Sequence, residues 1–335
     1  MVKLDFLTWN ATNACDLKCK HCYASSGSAY ENELTYDEVK ESLVDQLDIL
    51  KCSNLLISGG EPLNRKDIFD IIDYIKSKNI NIAIASNGIQ IDDDLAKKLE
   101  NHGVKSIQIS LESSNENEND EIRGLGTFKK IIRALSALSK TSIYTTIAAT
   151  PTYELSKIED LILLAKELNV NMVSIRRFIP IGRGEFFDRK YKLYSRKDFL
   201  KFIYNIQEKY NTLVKINCDD PLYITLSPNI NDLYKKDILA GCLAGINSCA
   251  VDATGEVYPC TRLKYSLGNI KNMNLEYIWK NNKDLKSLRD RNLLEGKCKI
   301  CNYKFLCGGC RAGAYNKSGN ILAEDPDCFN NISCI

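Results

Sequence analysis

The sequence predicts an α/β protein in which six βα units build a parallel sheet and a smaller cysteine-rich domain follows. Three observations carry this expectation. Short β-branched apolar runs alternate with amphipathic stretches from residue 4 to about 180, the rhythm of a parallel sheet with helical crossovers. That periodicity fades after residue 211. All but two of the 14 cysteines crowd into one short N-terminal run and the last hundred residues.

In chain order the expected strands are Leu4–Thr12, Asn54–Ser58, Ile80–Ser86, Lys105–Leu111, Ile143–Ala149 and Met172–Phe178. Helical periodicity falls between them at 36–50, 67–78, 92–101, 127–139 and 156–168, and again at 196–210. Thr35 with Glu38 reads as a capping box. The stretch 112–121, ESSNENENDE, reads as a solvated polar loop. Asp220-Pro221 through Pro228 to Asp232 reads as a bridge rather than another βα unit. The expected division is a core domain over 1–215, a bridging segment over 216–235 and a cysteine-rich domain over 236–335, in which Cys249–Val251 and Glu256–Tyr258 are strand-like. A chain of 335 residues accommodates both domains.

A formal charge of +2, with both signs interspersed, supplies no basic face for nucleic acid. No apolar run is long enough to cross a bilayer, and MVKLDFLTWNAT lacks a secretory apolar core. The expectation is a cytoplasmic protein with neither nucleic-acid nor membrane partners. Reducing conditions argue against a disulfide framework, which leaves metal ligation to explain the cysteines. His21 and His102 are the only histidines, so the candidate sites are all-thiolate: iron-sulfur clusters or four-cysteine zinc.

Cys15-x3-Cys19-x2-Cys22, followed by Tyr23, ends the first strand. Three thiolates without a fourth nearby suit a cuboidal cluster with one iron open to a small ligand; a three-cysteine zinc site or idle thiols is the alternative. The C-terminal ends of parallel strands are where such folds place their sites. Gly59-Gly60-Glu61-Pro62 ends the second strand, where glycines admit a ligand's polar head and Glu61 can accept from a cationic amine.

The cysteine spacing and the GGEP that follows it resemble the radical S-adenosylmethionine (SAM) superfamily. The resemblance implies a partial (β/α)6 TIM-like barrel whose open iron binds the amino and carboxylate groups of SAM, releasing a 5'-deoxyadenosyl radical on one-electron reduction. It further implies cofactor contacts at Ser86-Asn87-Gly88, at Ser110 with Glu112, and at Arg123 for the SAM carboxylate, besides Tyr23, Gly59, Gly60, Glu61 and Pro62. Related enzymes read Leu-Asp-Gly where this chain has Leu111-Glu112-Ser113. Arg176, Arg177 and Gly182-Arg183-Gly184 resemble the sixth-strand SAM contact region, or form a basic surface turn.

The C-terminal cysteines Cys242, Cys249, Cys260, Cys298, Cys301, Cys307, Cys310 and Cys328 resemble a SPASM domain, which carries two auxiliary 4Fe-4S clusters. By that resemblance Cys242, Cys249, Cys260 and Cys310 hold one, and Cys298, Cys301, Cys307 and Cys328 the other. The Cys307-x2-Cys310 spacing departs from the commoner x3, and zinc in the 298–310 knuckle is the rival. Cys52, Cys218 and Cys334 are left over: Cys52 fills a helix end, Cys218 packs or faces substrate, and Cys334 lies at the terminus.

An enzyme of this kind abstracts hydrogen from an unactivated carbon. Among SPASM families the expected substrate is a ribosomally made peptide, modified by thioether or carbon-carbon crosslinking. Haem-pathway decarboxylation of a porphyrin propionate is the alternative, supported by CLAG-x3-C and CGGC. Formylglycine formation ranks last, because Thr261 stands where that subgroup has aspartate. The implied partners are a peptide or tetrapyrrole substrate, a one-electron reductant such as flavodoxin or ferredoxin, and, for a peptide, a separate leader-binding protein. A non-enzymatic iron-sulfur electron carrier explains the cysteines but has no use for GGEP. No general base is identified; Asp219, Asp220 and Glu185 read as solvated loop carboxylates near the barrel mouth.

Overall fold

A computed structural model describes residues 2–187, 194–227 and 241–330. Its strands are β1 Phe6–Asn10, β2 Asn54–Ser58, β3 Asn81–Ser86, β4 Ser106–Ser110, β5 Tyr144–Ala149, β6 Met172–Ile175, β7 Lys215–Cys218, β8 Ser248–Val251, β9 Glu256–Tyr258 and β10 Gly268–Asn269. They form one sheet in the order β10-β9-β8-β1-β2-β3-β4-β5-β6-β7. β8 and β1 through β7 pair in parallel, whereas β9 pairs antiparallel with both β8 and β10.

Because β1 to β7 follow one another in space as in sequence, right-handed crossovers place their helices on one side of the sheet and leave the other side concave. Residues alternate across the sheet accordingly. Leu7, Trp9, Leu55, Ile57, Ile82, Ile84, Ile107, Ile109, Ile147, Val173 and Ile175 point outward and are buried under the helices. Thr8, Ser58, Gln108 and Ser110, one residue out of phase, line a central cavity. Each fully buried Leu or Ile contributes roughly 1.5–3 kcal/mol, so the outer layer holds the barrel while the inner layer is free to be polar.

The six predicted strands are all present, and the predicted helices fall at Tyr36–Ile49, the first of them with a π-helical middle, Ile68–Ser77, Asp93–Asn101, Thr127–Leu138, Lys157–Glu167 and Arg196–Tyr210. Thr35 and Glu38 make the capping box, with Thr35 Oγ1 accepting from Glu38 N at 3.3 Å and Glu38 Oε2 from Thr35 N at 2.8 Å.

Two expectations are corrected. The polar stretch expected as a solvated loop contains a helix, Glu116–Arg123, capped by Asn115. Its buried face is polar: Asn119 donates to Thr127 Oγ1 at 3.0 Å, and Asp120 accepts from Gly126 N at 2.5 Å and Phe128 N at 2.8 Å. With no apolar stripe it leaves no helical period to read. The second correction concerns the segment after residue 211, where β7 adds a seventh parallel strand and Pro221–Leu226 a 3-10 turn. The expected boundary near 235, with Pro228 and Asp232, lies outside the described residues. The sheet itself crosses from one expected domain to the other, since β8 continues it beside β1. No described helix is long and apolar enough to cross a membrane.

Candidate active site

A cavity of about 520 Å³ opens at the C-terminal ends of the barrel strands. Cys15, Cys19 and Cys22 line it from the loop that follows β1, and Tyr23 sits beside them. Cys15 N donates to Gly27 O at 2.7 Å and Gly27 N to Asn13 O at 2.9 Å, closing that loop on itself. The GGEP turn then grips its base: Gly60 N reaches Thr12 O and Glu61 N reaches Ala14 O, both at 2.7 Å. A Cβ on Gly59 would lie 2.5 Å from Thr12 O, and one on Gly60 2.2 Å from Ala14 O. The glycines therefore admit the cysteine loop's own backbone, a closer constraint than the ligand approach inferred from sequence.

From the opposite side Arg183 donates through Nε to Cys19 O at 3.0 Å and through Nη1 to Ser26 O at 2.7 Å. Arg183 is thus a clamp on the loop rather than a surface turn. The three loop thiols are held from two sides before any cofactor binds, the preorganisation a cluster site needs.

Glu61 does not line the cavity. It is fully buried, accepting from Asn87 N at 2.7 Å, Ser86 Oγ at 2.9 Å and Leu63 N at 3.2 Å. The side chain expected to meet an amine instead ties β2 to β3, and Pro62 is buried beside it. Burial pushes the Glu61 carboxyl up to about 7 against those hydrogen bonds. A raised carboxyl favours the protonated fold, so its contribution is complete below the unfolded carboxyl range and is lost as pH rises through about 7. We expect Glu61→Gln to remove roughly 3 kcal/mol of pH dependence. Melting temperatures at about pH 5 and pH 8 check this: wild type should lose more than the variant, and parallel curves would refute it.

Ser86, Asn87, Ser110, Glu112 and Arg123 all line the cavity. Asn87 is also bound to the cysteine loop, donating through Nδ2 to Asp16 at 2.6 Å. Arg123 Nη1 pairs with Glu112 at 2.8 Å, and His21 Nε2 lies 3.3 Å from the same carboxylate oxygen. Burial raises the Glu112 pKa, but His21, Arg123 and a 2.8 Å bond from Thr150 N outweigh it and hold it at about 2. Glu112 is therefore an ionised anchor for Arg123, whose Nε is buried without a hydrogen-bond partner among the described residues and so retains a donor for a ligand.

Of the later cysteines, Cys242, Cys249, Cys260 and Cys310 line the far wall of the same cavity. Cys298, Cys301, Cys307 and Cys328 surround a separate pocket of about 20 Å³. Backbone N–H groups point at several sulfurs: Leu17 at Cys15 (3.5 Å), Tyr303 at Cys301, Gly309 at Cys307 and Gly313 at Cys310 (each 3.4 Å). Such donors stabilise the negative sulfurs of a ligated cluster, so these residues fit the groups that the sequence implies. Among the described residues no three Cys, His, Asp or Glu side chains converge on a point for a single ion.

The radical SAM superfamily pattern matches residues 9–176, half of the chain and the whole of the cysteine loop and GGEP turn. The chain belongs to the radical SAM superfamily. A second pattern, the SPASM iron-sulfur cluster-binding domain, matches 242–302. This radical SAM enzyme is 32% identical over 345 residues to the AdoMet-dependent heme synthase of Methanosarcina barkeri, covering 96% of this chain and 95% of the relative. It is 28% identical over 338 residues to the mycofactocin maturase MftC of Mycolicibacterium smegmatis, covering 96% and 82%. Its fold matches that of Streptococcus suis SuiB bound to S-adenosylmethionine with a TM-score of 0.81, at 18% identity over 98% of this chain and 78% of that one. A 4Fe-4S cluster, SAM and auxiliary iron-sulfur clusters are accordingly its cofactors.

Of the remaining residues, Cys52 is buried after the helix it was expected to fill, with its thiol 3.5 Å from Asn54 O. Cys218 ends β7 and is absent from the cavity wall, and Cys334 lies outside the described residues. The three carboxylates expected as solvated separate: Glu185 is exposed, Asp220 is buried in ion pairs, and Asp219 lines the cavity. Sequence reasoning missed Arg262, a cavity residue two positions after Cys260, whose only sequence signal was that adjacency.

Proposed function

We propose that this enzyme oxidatively decarboxylates the propionate side chains of a tetrapyrrole. The observation that carries the reading is the cavity's charge and shape: five arginines, Arg123, Arg176, Arg177, Arg183 and Arg262, line it against two carboxylates, Glu112 and Asp219. Leu17, Phe178, Ile179 and Leu243 supply apolar wall. A polyanion with an apolar body fits such a lining better than a neutral peptide segment does, which reverses the preference drawn from sequence. The full-length similarity to a haem synthase supports the same substrate class.

Cys15, Cys19 and Cys22 would hold the cluster that leaves an iron for SAM, and that pair supplies, when bound, the abstraction of a hydrogen atom from carbon. The chain's own part is to place the propionate β-carbon, keep water out and hold the carboxylate by guanidinium. With these groups bound, the side chain would lose one hydrogen atom to 5'-deoxyadenosine and CO2 from its Cα–carboxylate bond, and an iron-sulfur cluster would take up the one electron released. A vinyl group remains. No proton acceptor is required, consistent with a cavity whose carboxylates are both paired with arginine. The reductant would be a flavodoxin or ferredoxin, and the setting cytoplasmic.

Anaerobic incubation of the reconstituted, reduced enzyme with SAM and iron coproporphyrin tests this. The expected product has lost CO2 and one hydrogen atom per propionate anion, two hydrogens when counted from the free acid, with equivalent 5'-deoxyadenosine. Abortive 5'-deoxyadenosine with unchanged porphyrin would overturn the reading and turn the search to peptides, such as the precursor peptide bound to Streptococcus suis SuiB.

A further inference from the structure

The cavity arginines are not equivalent. Arg123 is paired with Glu112, and Arg177 with Asp220 at 3.1 Å and Asp327 at 2.8 Å. Arg183 is committed to the carbonyls of the cysteine loop. Arg176 follows β6 and Arg262 comes from the C-terminal part of the chain, yet both converge on one carboxylate: Asp219 Oδ2 lies 3.8 Å from Arg176 Nε and 3.0 Å from Arg262 Nη2. The 3.8 Å contact is an ion pair only, and Arg176 donates its hydrogen bond through Nη2 to the neutral amide oxygen of Gln108.

Two guanidiniums thus share a single anion in a partly desolvated wall. Arg176 Nε and Asp219 Oδ1 are buried without a hydrogen-bond partner among the described residues. Of the two, the orphaned Arg176 Nε is a donor that lacks an acceptor, which is unfavourable in a partly desolvated wall. A planar ligand carboxylate satisfies the guanidinium forks and restores one anion per cation.

We propose that Arg176 and Arg262, held in register by Asp219, form the substrate's carboxylate-binding site, on the side of the cavity that carries Cys260 and Cys310. The inference rests on the propionate reading above and adds to it the residues that make the contact. Asp219 is a positioning residue here, the fixed counter-ion that keeps two like charges together on the wall. The competing role for Arg262 is electrostatic, since the thiolates of Cys260 and Cys310 are close enough to act on it.

The experiment is an anaerobic absorbance titration of the cluster-loaded protein with iron coproporphyrin and with its methyl ester, for wild type, Arg176→Gln, Arg262→Gln and Arg262→Lys. Iron content per chain in each variant reports folding. The expected result is that wild type prefers the acid and that each Gln variant weakens acid binding by about tenfold or more while leaving ester binding unchanged. Arg262→Lys, which keeps charge without the fork, should recover part of the loss. Unchanged acid binding in both Gln variants overturns the inference, as does equal weakening for acid and ester. An altered electron paramagnetic resonance signal of the reduced clusters in Arg262→Gln with unchanged binding would assign Arg262 to the cluster instead. Failure of wild type to bind the porphyrin acid at all would refute the propionate reading itself, a result distinct from any of these.

Discussion

Changing Cys15, Cys19 and Cys22 together to Ala should lower the iron of the anaerobically reconstituted enzyme from about twelve to about eight per chain, and abolish 5'-deoxyadenosine formation. The size of the drop follows from the separation of the thiols. The loop cysteines occupy one end of the cavity, and the eight later cysteines divide between its far wall and a second pocket. No later cysteine belongs to the N-terminal loop, so losing three thiols should unload one cluster and spare the others. Iron counts by absorbance and sulfide analysis, with chromatography of the nucleoside, provide the measurement. A total of about four iron in wild type, lost altogether in the variant, would mean that the C-terminal cysteines hold no iron.

Replacing Asp220 with Ala should destabilise the folded enzyme by about 3–5 kcal/mol, the cost of leaving buried arginine charge unpaired. Asp220 is wholly buried and takes a two-pronged contact from Arg196, at 2.9 and 2.7 Å, besides the ion pair with Arg177. Arg196 also reaches Asp325 at 2.8 Å, and Asp325 Oδ2 accepts from Cys310 N at 2.7 Å. One carboxylate at the end of β7 thus fixes the position of a cysteine far along the chain. Urea unfolding of the loaded protein checks the magnitude, and the double variant Asp220→Leu with Arg196→Met should regain part of the loss because it removes the charge as well as its partner. A midpoint unchanged in Asp220→Ala would show that the network contributes nothing to stability.

What could be read from sequence followed from local periodicity. The strands β1 to β6 and most helices announce themselves because their outward residues are aliphatic and their spacing is regular. The helix Glu116–Arg123 was hidden because it buries Asn119, bonded to the Thr127 hydroxyl, and Asp120, bonded to the backbone N–H groups of Gly126 and Phe128, partners that no periodicity records. β7 was hidden because Lys-Ile-Asn-Cys at a sheet edge buries only Ile216 well. Cysteine spacing located the sites, but not what supports them. Arg183 reaches Cys19 across 164 residues, and Arg196 reaches Asp325 across 129. Pairings at such separations follow from topology alone. The hydrogen bonds of Glu61 to Ser86 and Asn87 were hidden for a related reason: a motif says which residue stands at a strand end, while the neighbouring strand decides which partners its side chain meets.

The parallel pairing of β1 with β8 has a consequence for biosynthesis. β1 leaves the ribosome well before its partner, because Phe6 pairs with Ser248 and Trp9 with Val251, far later in the chain. At ordinary translation speeds β1 waits roughly 10–50 s with one row of backbone donors and acceptors unpaired. An open strand edge of that kind is a template for intermolecular pairing, so nascent chains are exposed to aggregation until the final third emerges. A chain truncated before residue 248 never seals that edge.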